Sequence, residues 1–188
     1  MTADPHAWAH ALDTLYDHVW QHLVRGVHDR RAPARHPTLA TVSPHGMPKA
    51  RTVVLRGADK ASGRLDIHTH LHSAKVRDIK ARPVAALHVW DAGQKLQIRL
   101  EAGVECVTGE AAAEAWARVP DAARGVYSAQ VPGSPMASPI DHDPHPDAGS
   151  FAVLHLHVQA MDILHLGVEH RRAVYQRRDH WVGQWVVP

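Results

Sequence analysis

A chain of 188 residues with 45% hydrophobic content can fill one core and is too short for two ordinary domains, so a single domain over residues 1–188 is expected. The formal charge of +2 supplies no global drive toward nucleic acid; no run of 18 apolar residues occurs to insert in a membrane, and Met1-Thr2-Ala3-Asp4-Pro5-His6 lacks the basic-then-apolar order of a signal peptide. A cytoplasmic protein is expected, without nucleic-acid or membrane partners. Its one cysteine, Cys106, excludes an internal disulfide and a multi-cysteine zinc site, so redox chemistry would require a cofactor.

Asp4-Pro5 offers a helix N-cap followed by proline at the first helical position, and Trp8, Leu12, Leu15, Tyr16, Val19, Leu23 and Val27 then recur at three- and four-residue steps. A helix over residues 5–29 is predicted, joined by a basic, proline-broken connector that ends near residue 36. Thr38 to Ser43 and Lys49 to Arg56 read as strands around the turn Pro44-His45-Gly46. Arg51-Thr52-Val53-Val54-Leu55-Arg56 in particular reads as one strand with a guanidinium at each end. A turn over 58–63 leads to a half-buried strand from Leu65 to Leu71, and Ser73 caps a short helix carrying Val76 and Ile79 that stops before Pro83.

Val84 to Trp90 and Leu96 to Val107 are strands, Glu110 to Arg118 and Asp121 to Gln130 short helices. Residues 131–149 hold five prolines and two glycines and are expected to form a long loop that serves as a lid or a subunit contact. Phe151 to Val158, Met161 to Leu166, Arg172 to Gln176 and His180 to Val187 complete about eight antiparallel strands. The fold class is α+β, most easily closed as a barrel, with an N-terminal helix and short flanking helices.

By composition alone Arg51, Lys75 and Arg172 are ordinary surface charges, Gln97 is a cross-strand polar partner, and Trp116, Trp181 and Trp185 are packing residues. The 18 histidines include the alternating sets His68/His70/His72 and His155/His157, but no acidic or thiolate ligand is tied to either by the sequence, and no metal site is expected.

Leu39-Ala40-Thr41-Val42, Arg51 to Gly57, Lys95-Leu96-Gln97-Ile98-Arg99, Ser150 to Leu154 and His170-Arg171-Arg172-Ala173 stand in an order that resembles the pyridoxamine 5'-phosphate oxidase-related FMN-binding split barrels from Pro37 to Pro188. The resemblance implies a homodimer with FMN at the subunit interface. It implies that Arg51 meets the FMN phosphate, that backbone groups of Thr52, Val53, Val54 and Leu55 run along the ring, and that Lys75, Ser73, Thr69 and the backbone of His68 add to the phosphate site. Gln97, an amide that both donates and accepts, would meet the polar edge of the ring, with Arg99 as its neighbour; Arg172 would reach the ring from the partner. Guanidinium and ammonium groups are the side chains that a phosphate near two negative charges requires.

The chain departs from the true vitamin B6 oxidases. Ala74 replaces a basic residue between Ser73 and Lys75, and Leu164 a tryptophan. The substrate-phosphate tyrosine, arginine and serine are here Trp116, Pro120 and Arg124, leaving Arg118 and Arg124 as nearby cations. Arg56 and His170 remain as substrate-side candidates, with Val168 where a second arginine is expected. The resemblance therefore implies an FMN-dependent oxidoreductase whose substrate the sequence does not name. A flavin carrier, a haem-binding relative of the same fold, and a vitamin B6 oxidase with a rearranged phosphate clamp stand as alternatives.

Overall fold

Strand-like alternation from Thr38 onward is realised, among the described residues, as nine antiparallel strands with four α-helices around them. The computed structural model describes residues 6–188, so the expected helix opening at Asp4-Pro5 lies outside the described residues. The strands are β1 (Thr38–Val42), β2 (Pro48–Thr52), β3 (Leu55–Asp59), β4 (Arg64–His70), β5 (Val84–Asp91), β6 (Leu96–Val107), β7 (Phe151–Leu166), β8 (His170–Gln176) and β9 (Gly183–Val186). The helices are α1 (Leu12–His28), α2 (Ala74–Ala81), α3 (Glu110–Ala117) and α4 (Asp121–Arg124).

Hydrogen bonding orders the main sheet β2-β1-β5-β6-β7-β4-β3. Its two outermost strands, β2 and β3, are joined by Val53-Val54 alone, which places their ends within about 11 Å of each other and closes the sheet into a barrel. This corrects the reading of Arg51 to Arg56 as one strand. Val53 leaves β1 by donating its N–H to the Pro37 carbonyl (3.0 Å), and from Leu55 the chain pairs instead with β4. Arg51 and Arg56 thus stand on different strands.

A second correction concerns β7, expected as two strands and found as one of 16 residues. Its buried positions run Leu154, Leu156, Val158 and then Met161, Ile163, with a register shift that leaves Gln159 unpaired opposite β6. The extra residue is a bulge, and it switches the inward parity that looked like a strand break. The first half of β7 pairs with β4 and the second with β8, so the bulge marks where the barrel splits.

Inside, Leu39, Leu65, Ile67, Leu87, Ile98, Leu154 and Ile163 are fully or almost fully buried. Helix α1 lies across β3 and β9 with Leu15, Val19, Trp20 and Leu23 inward. It starts seven residues later than predicted, because Ala11 is extended and the Thr14 hydroxyl donates to the Trp8 carbonyl (2.9 Å), turning Trp8 back to stack on His18 at 3.9 Å between ring centroids. At its other end a Cβ on Gly26 would stand 2.7 Å from the Ala34 backbone, so only glycine lets the connector pack there. The predicted helix over 121–130 ends at Arg124, where Tyr127 turns into an aromatic cluster and accepts the Asp147 N–H (2.8 Å). Residues 131–149 carry two short 3-10 turns, Pro139–Asp141 and Ala148–Ser150, and a bridge between Ser128 and Pro146. No helix among the described residues is long and apolar enough to cross a membrane.

Candidate functional site

The exchange of partners at Val53-Val54, where the barrel closes, lies beside the start of α2. A cavity of about 480 Å³ lies there, and Arg51, Thr52, Val53, Val54, His68, Thr69, Ser73 and Lys75 all line it. Arg56 shares this wall, and Tyr127, Val126 and Pro132 form the opposite one.

Thr69 faces inward as the next alternate residue after Leu65 and Ile67, and Ser73 and Lys75 follow at the turn into α2. The Lys75 ammonium donates to the Thr69 hydroxyl (2.9 Å) and lies 3.4 Å from the Ser73 hydroxyl; those two oxygens are 3.2 Å apart. Ser73 thus turns its side chain to the lysine and not to the helix cap, where no side-chain bond forms. Burial, and after it the positive Arg51, push the Lys75 ammonium below the usual lysine range. Two like charges held partly out of water favour an anion between them.

Arg51 is fixed from behind by residues that the sequence reading missed. One terminal nitrogen donates to the Thr41 hydroxyl (2.7 Å) and the Leu39 carbonyl (3.3 Å), and the other stands 3.5 Å from the Asp78 carboxylate. Asp78 is buried and accepts the Thr41 hydroxyl at 2.6 Å. Asp78 is one carboxylate against two cations, and among the described residues none is bonded to Lys75, so the pair keeps an excess positive charge. The only sequence signal for Asp78 was an acid between the core positions Val76 and Ile79.

His68 lies edge-on to Phe151, with ring centroids 5.0 Å apart. Burial, and then the Arg56 charge, lower its imidazole to about 4. The folded state therefore resists protonation that the unfolded chain accepts near pH 6.5, and this residue's contribution to stability falls as pH drops from 6.5 toward 4. Its ring proton resonances are expected to stay flat in an NMR titration between pH 7 and 5; a midpoint near 6.5 would contradict this environment. His70 serves structure: its Nδ1 accepts the His72 N–H (3.1 Å), which leaves Nε2 to donate to the Ser128 carbonyl (2.9 Å) and tie β4 to the loop after α4. His155 and His157 pair with Asp66 and Glu105, and no group of three metal-ligating side chains occurs among the described residues.

Three of the expected cofactor residues do not line this cavity. The Leu55 side chain is fully buried in the core. Gln97 and Arg172 lie in one cross-strand row, Trp90–Gln97–Leu164–Arg172–Val186, running from β5 to β9 on one face of the sheet. Arg172 makes a two-pronged ion pair with Asp162 (2.9 and 2.8 Å), which raises the guanidinium's pKa and lowers the carboxyl's. Arg99 reaches the same carboxylate at 3.4 Å. His170 sits with Arg172 and Trp185 in a separate shallow hollow. The expected residues thus divide into two groups on one chain.

An antiparallel barrel with a basic cavity beside the start of α2 is the architecture that this chain shares with the FMN-binding split barrels. Residues 16–108 match the model for the pyridoxamine 5'-phosphate oxidase FMN-binding domain. A pyridoxine/pyridoxamine 5'-phosphate oxidase of Microcystis aeruginosa is 40% identical over 90 residues, 48% of this chain and 41% of that protein. The match thus spans less than half of that relative's length. A pyridoxamine 5'-phosphate oxidase-related FMN-binding protein of Nostoc punctiforme superposes with a TM-score of 0.76 at 27% identity, over 92% of this chain and 96% of the other. PhzG of Burkholderia lata, at 17% identity, shares the fold with a TM-score of 0.74 over 94% and 92%. The chain belongs to the pyridoxamine 5'-phosphate oxidase-related family of FMN-binding proteins, and its cofactor is FMN. The donors around the 480 Å³ cavity fit that group, since a phosphate dianion answers the excess charge of Arg51 and Lys75.

Proposed function

We propose that the protein is an FMN-dependent oxidoreductase that works as a homodimer, with the FMN phosphate held by Arg51, Lys75, Thr69 and Ser73. The observation that carries this reading is the Lys75 ammonium, half-buried beside Arg51 at a cavity wall and bonded to hydroxyls alone. Bound FMN would supply two-electron hydride chemistry, and the protein would hold and orient it. The division of expected ligands into two groups supports the dimer: Gln97 and Arg172 meet a flavin seated on Arg51 and Lys75 when they come from the partner subunit. Asp162 then orients Arg172, leaving its remaining terminal nitrogen for the ring.

Arg56 and Tyr127 also line this cavity and are the side chains that would face a substrate bound beside the flavin. Trp116, Pro120 and Arg124 provide no phosphate clamp like that of the vitamin B6 oxidases: Arg124 covers the Trp116 ring at 5.1 Å and is tied to Asp121 and to the Val119 carbonyl. The substrate class we infer is therefore one other than pyridoxamine phosphate.

Complementation tests the shared site. Arg51→Ala/Lys75→Ala and Gln97→Ala/Arg172→Ala chains are each expected to bind FMN weakly, and their mixture, after subunit exchange, to regain one intact site in each mixed dimer. Flavin fluorescence reads the outcome; a mixture that binds no better than either parent would contradict the shared site.

A further inference from the structure

The chain after α4 carries apolar side chains that belong to neither hydrophobic cluster. Val126, Val131 and Met136 are exposed, and with Pro132 and Pro135 they line a groove of about 480 Å³. The groove is held in shape by bonds within its own loop. Pro132-Gly133 form the centre of a turn closed by the Ser134 N–H on the Val131 carbonyl (3.1 Å), and Gly133 takes a φ of +88°, a value that favours glycine. Gln130 ties the following stretch to this turn: its Nε2 donates to the Asp141 carbonyl (3.1 Å), while its Oε1 accepts the Asp143 N–H and His142 Nδ1, both at 2.9 Å. Asp141 in turn accepts the Ser138 N–H (2.9 Å).

Among the described residues no lysine, arginine, aspartate or glutamate lines this groove, whereas Arg51, Arg56 and Lys75 stand in the walls of the flavin cavity. The two spaces adjoin, since Val126 and Pro132 stand in the walls of both. An exposed apolar surface marks a place of contact, and its continuity with the flavin cavity says with what. We propose, on the reading that FMN is seated on Arg51 and Lys75, that the groove holds the apolar body of the substrate, a flat and uncharged organic compound whose reacting end lies at the flavin. Met136, unbranched and polarizable, adapts to a ring laid against it. His142 donates through Nδ1 to the Gln130 amide oxygen, so its neutral ring keeps Nε2 as an acceptor for a substrate hydroxyl. A phosphorylated substrate gains nothing from such walls.

Titration of the FMN-loaded protein with 2-naphthol, which is flat, apolar and uncharged at neutral pH, tests this by calorimetry and by the absorbance of the bound flavin. One saturable site per chain is expected, and filling it shifts the flavin band because the two spaces share Val126 and Pro132. Val131→Asp and Met136→Asp, at exposed side chains outside the flavin cavity, should each weaken 2-naphthol by about tenfold by setting a carboxylate against its ring, while Met136→Leu retains it and FMN affinity stays at the parent value. Calorimetric binding of 2-naphthol to a chain that takes up no FMN would fault the flavin reading and keep the groove as a ligand site. FMN bound with no saturable 2-naphthol signal in the millimolar range, as a groove covered by the partner subunit would give, would overturn the proposal. So would 2-naphthol binding that both aspartate variants leave untouched.

Discussion

Arg51→Ala combined with Lys75→Ala is expected to lower FMN affinity by about a hundredfold to ten-thousandfold. Each side chain offers a charge-assisted bond worth about 1.5–3 kcal/mol, so two together supply about 3–6 kcal/mol. Either single variant loses less than half of that. Arg51 is one of the two causes that depress Lys75, so its removal leaves a lysine that holds its proton more firmly and compensates in part. Removing Arg51 also takes away a donor facing the buried Asp78, which keeps the Thr41 hydroxyl. The melting temperature of the double variant is therefore expected to fall modestly, while flavin binding, followed by quenching of flavin fluorescence, collapses. An affinity within a factor of three of the parent protein would contradict the assignment.

The second large effect is on stability. Phe151, the chain's only phenylalanine, is buried to 1% exposure and touches His68, Trp116 and Tyr127, with ring centroids 5.0, 5.3 and 5.0 Å away. It fastens α3 and the Tyr127 turn to β7, and through Tyr127 and His68 it supports the wall of the cavity beside Arg51 and Lys75. Phe151→Ala should cost about 3–5 kcal/mol in chemical denaturation, the range for removing a buried aromatic side chain. A cost under about 1 kcal/mol would show that the cluster relaxes into the gap. His68 offers a second readout: with its cover removed, its protonation midpoint should rise from about 4 toward the ordinary imidazole value.

What the sequence made legible follows from the range of the interactions. Leu65, Ile67 and Thr69 alternate on β4, and the turn into α2 then sets Ser73 and Lys75 beside Thr69, so the nearness of these three side chains is local in sequence, while their role at a phosphate came from the resemblance. The support of Arg51 could not be read so, since Thr41 and Asp78 lie 37 residues apart and meet only once β1 and α2 pack. Uninterrupted β-formers at Thr52, Val53, Val54 and Leu55 concealed a change of pairing partner, because propensity carries no information about which strand lies alongside. At Gln159 the error ran the other way, a bulge within one strand resembling the end of two. The roles of Gln97 and Arg172 rested on resemblance alone; the structure adds that they share a row across β6, β7 and β8, away from the cavity that holds Arg51. Many of the histidines, as a group an anomaly of composition, serve as individual hydrogen-bond partners: His70 to Ser128, His155 to Asp66, His18 to Gln94.

The phosphate assignment is tested most directly by comparing FMN with riboflavin, which lacks the phosphate and keeps the ring. The parent protein should bind FMN about a hundredfold or more tighter than riboflavin, and Arg51→Ala/Lys75→Ala should bring that ratio close to one while leaving riboflavin affinity nearly unchanged. A ratio that the double variant leaves intact would place the phosphate elsewhere and contradict the site built on Arg51, Thr69, Ser73 and Lys75.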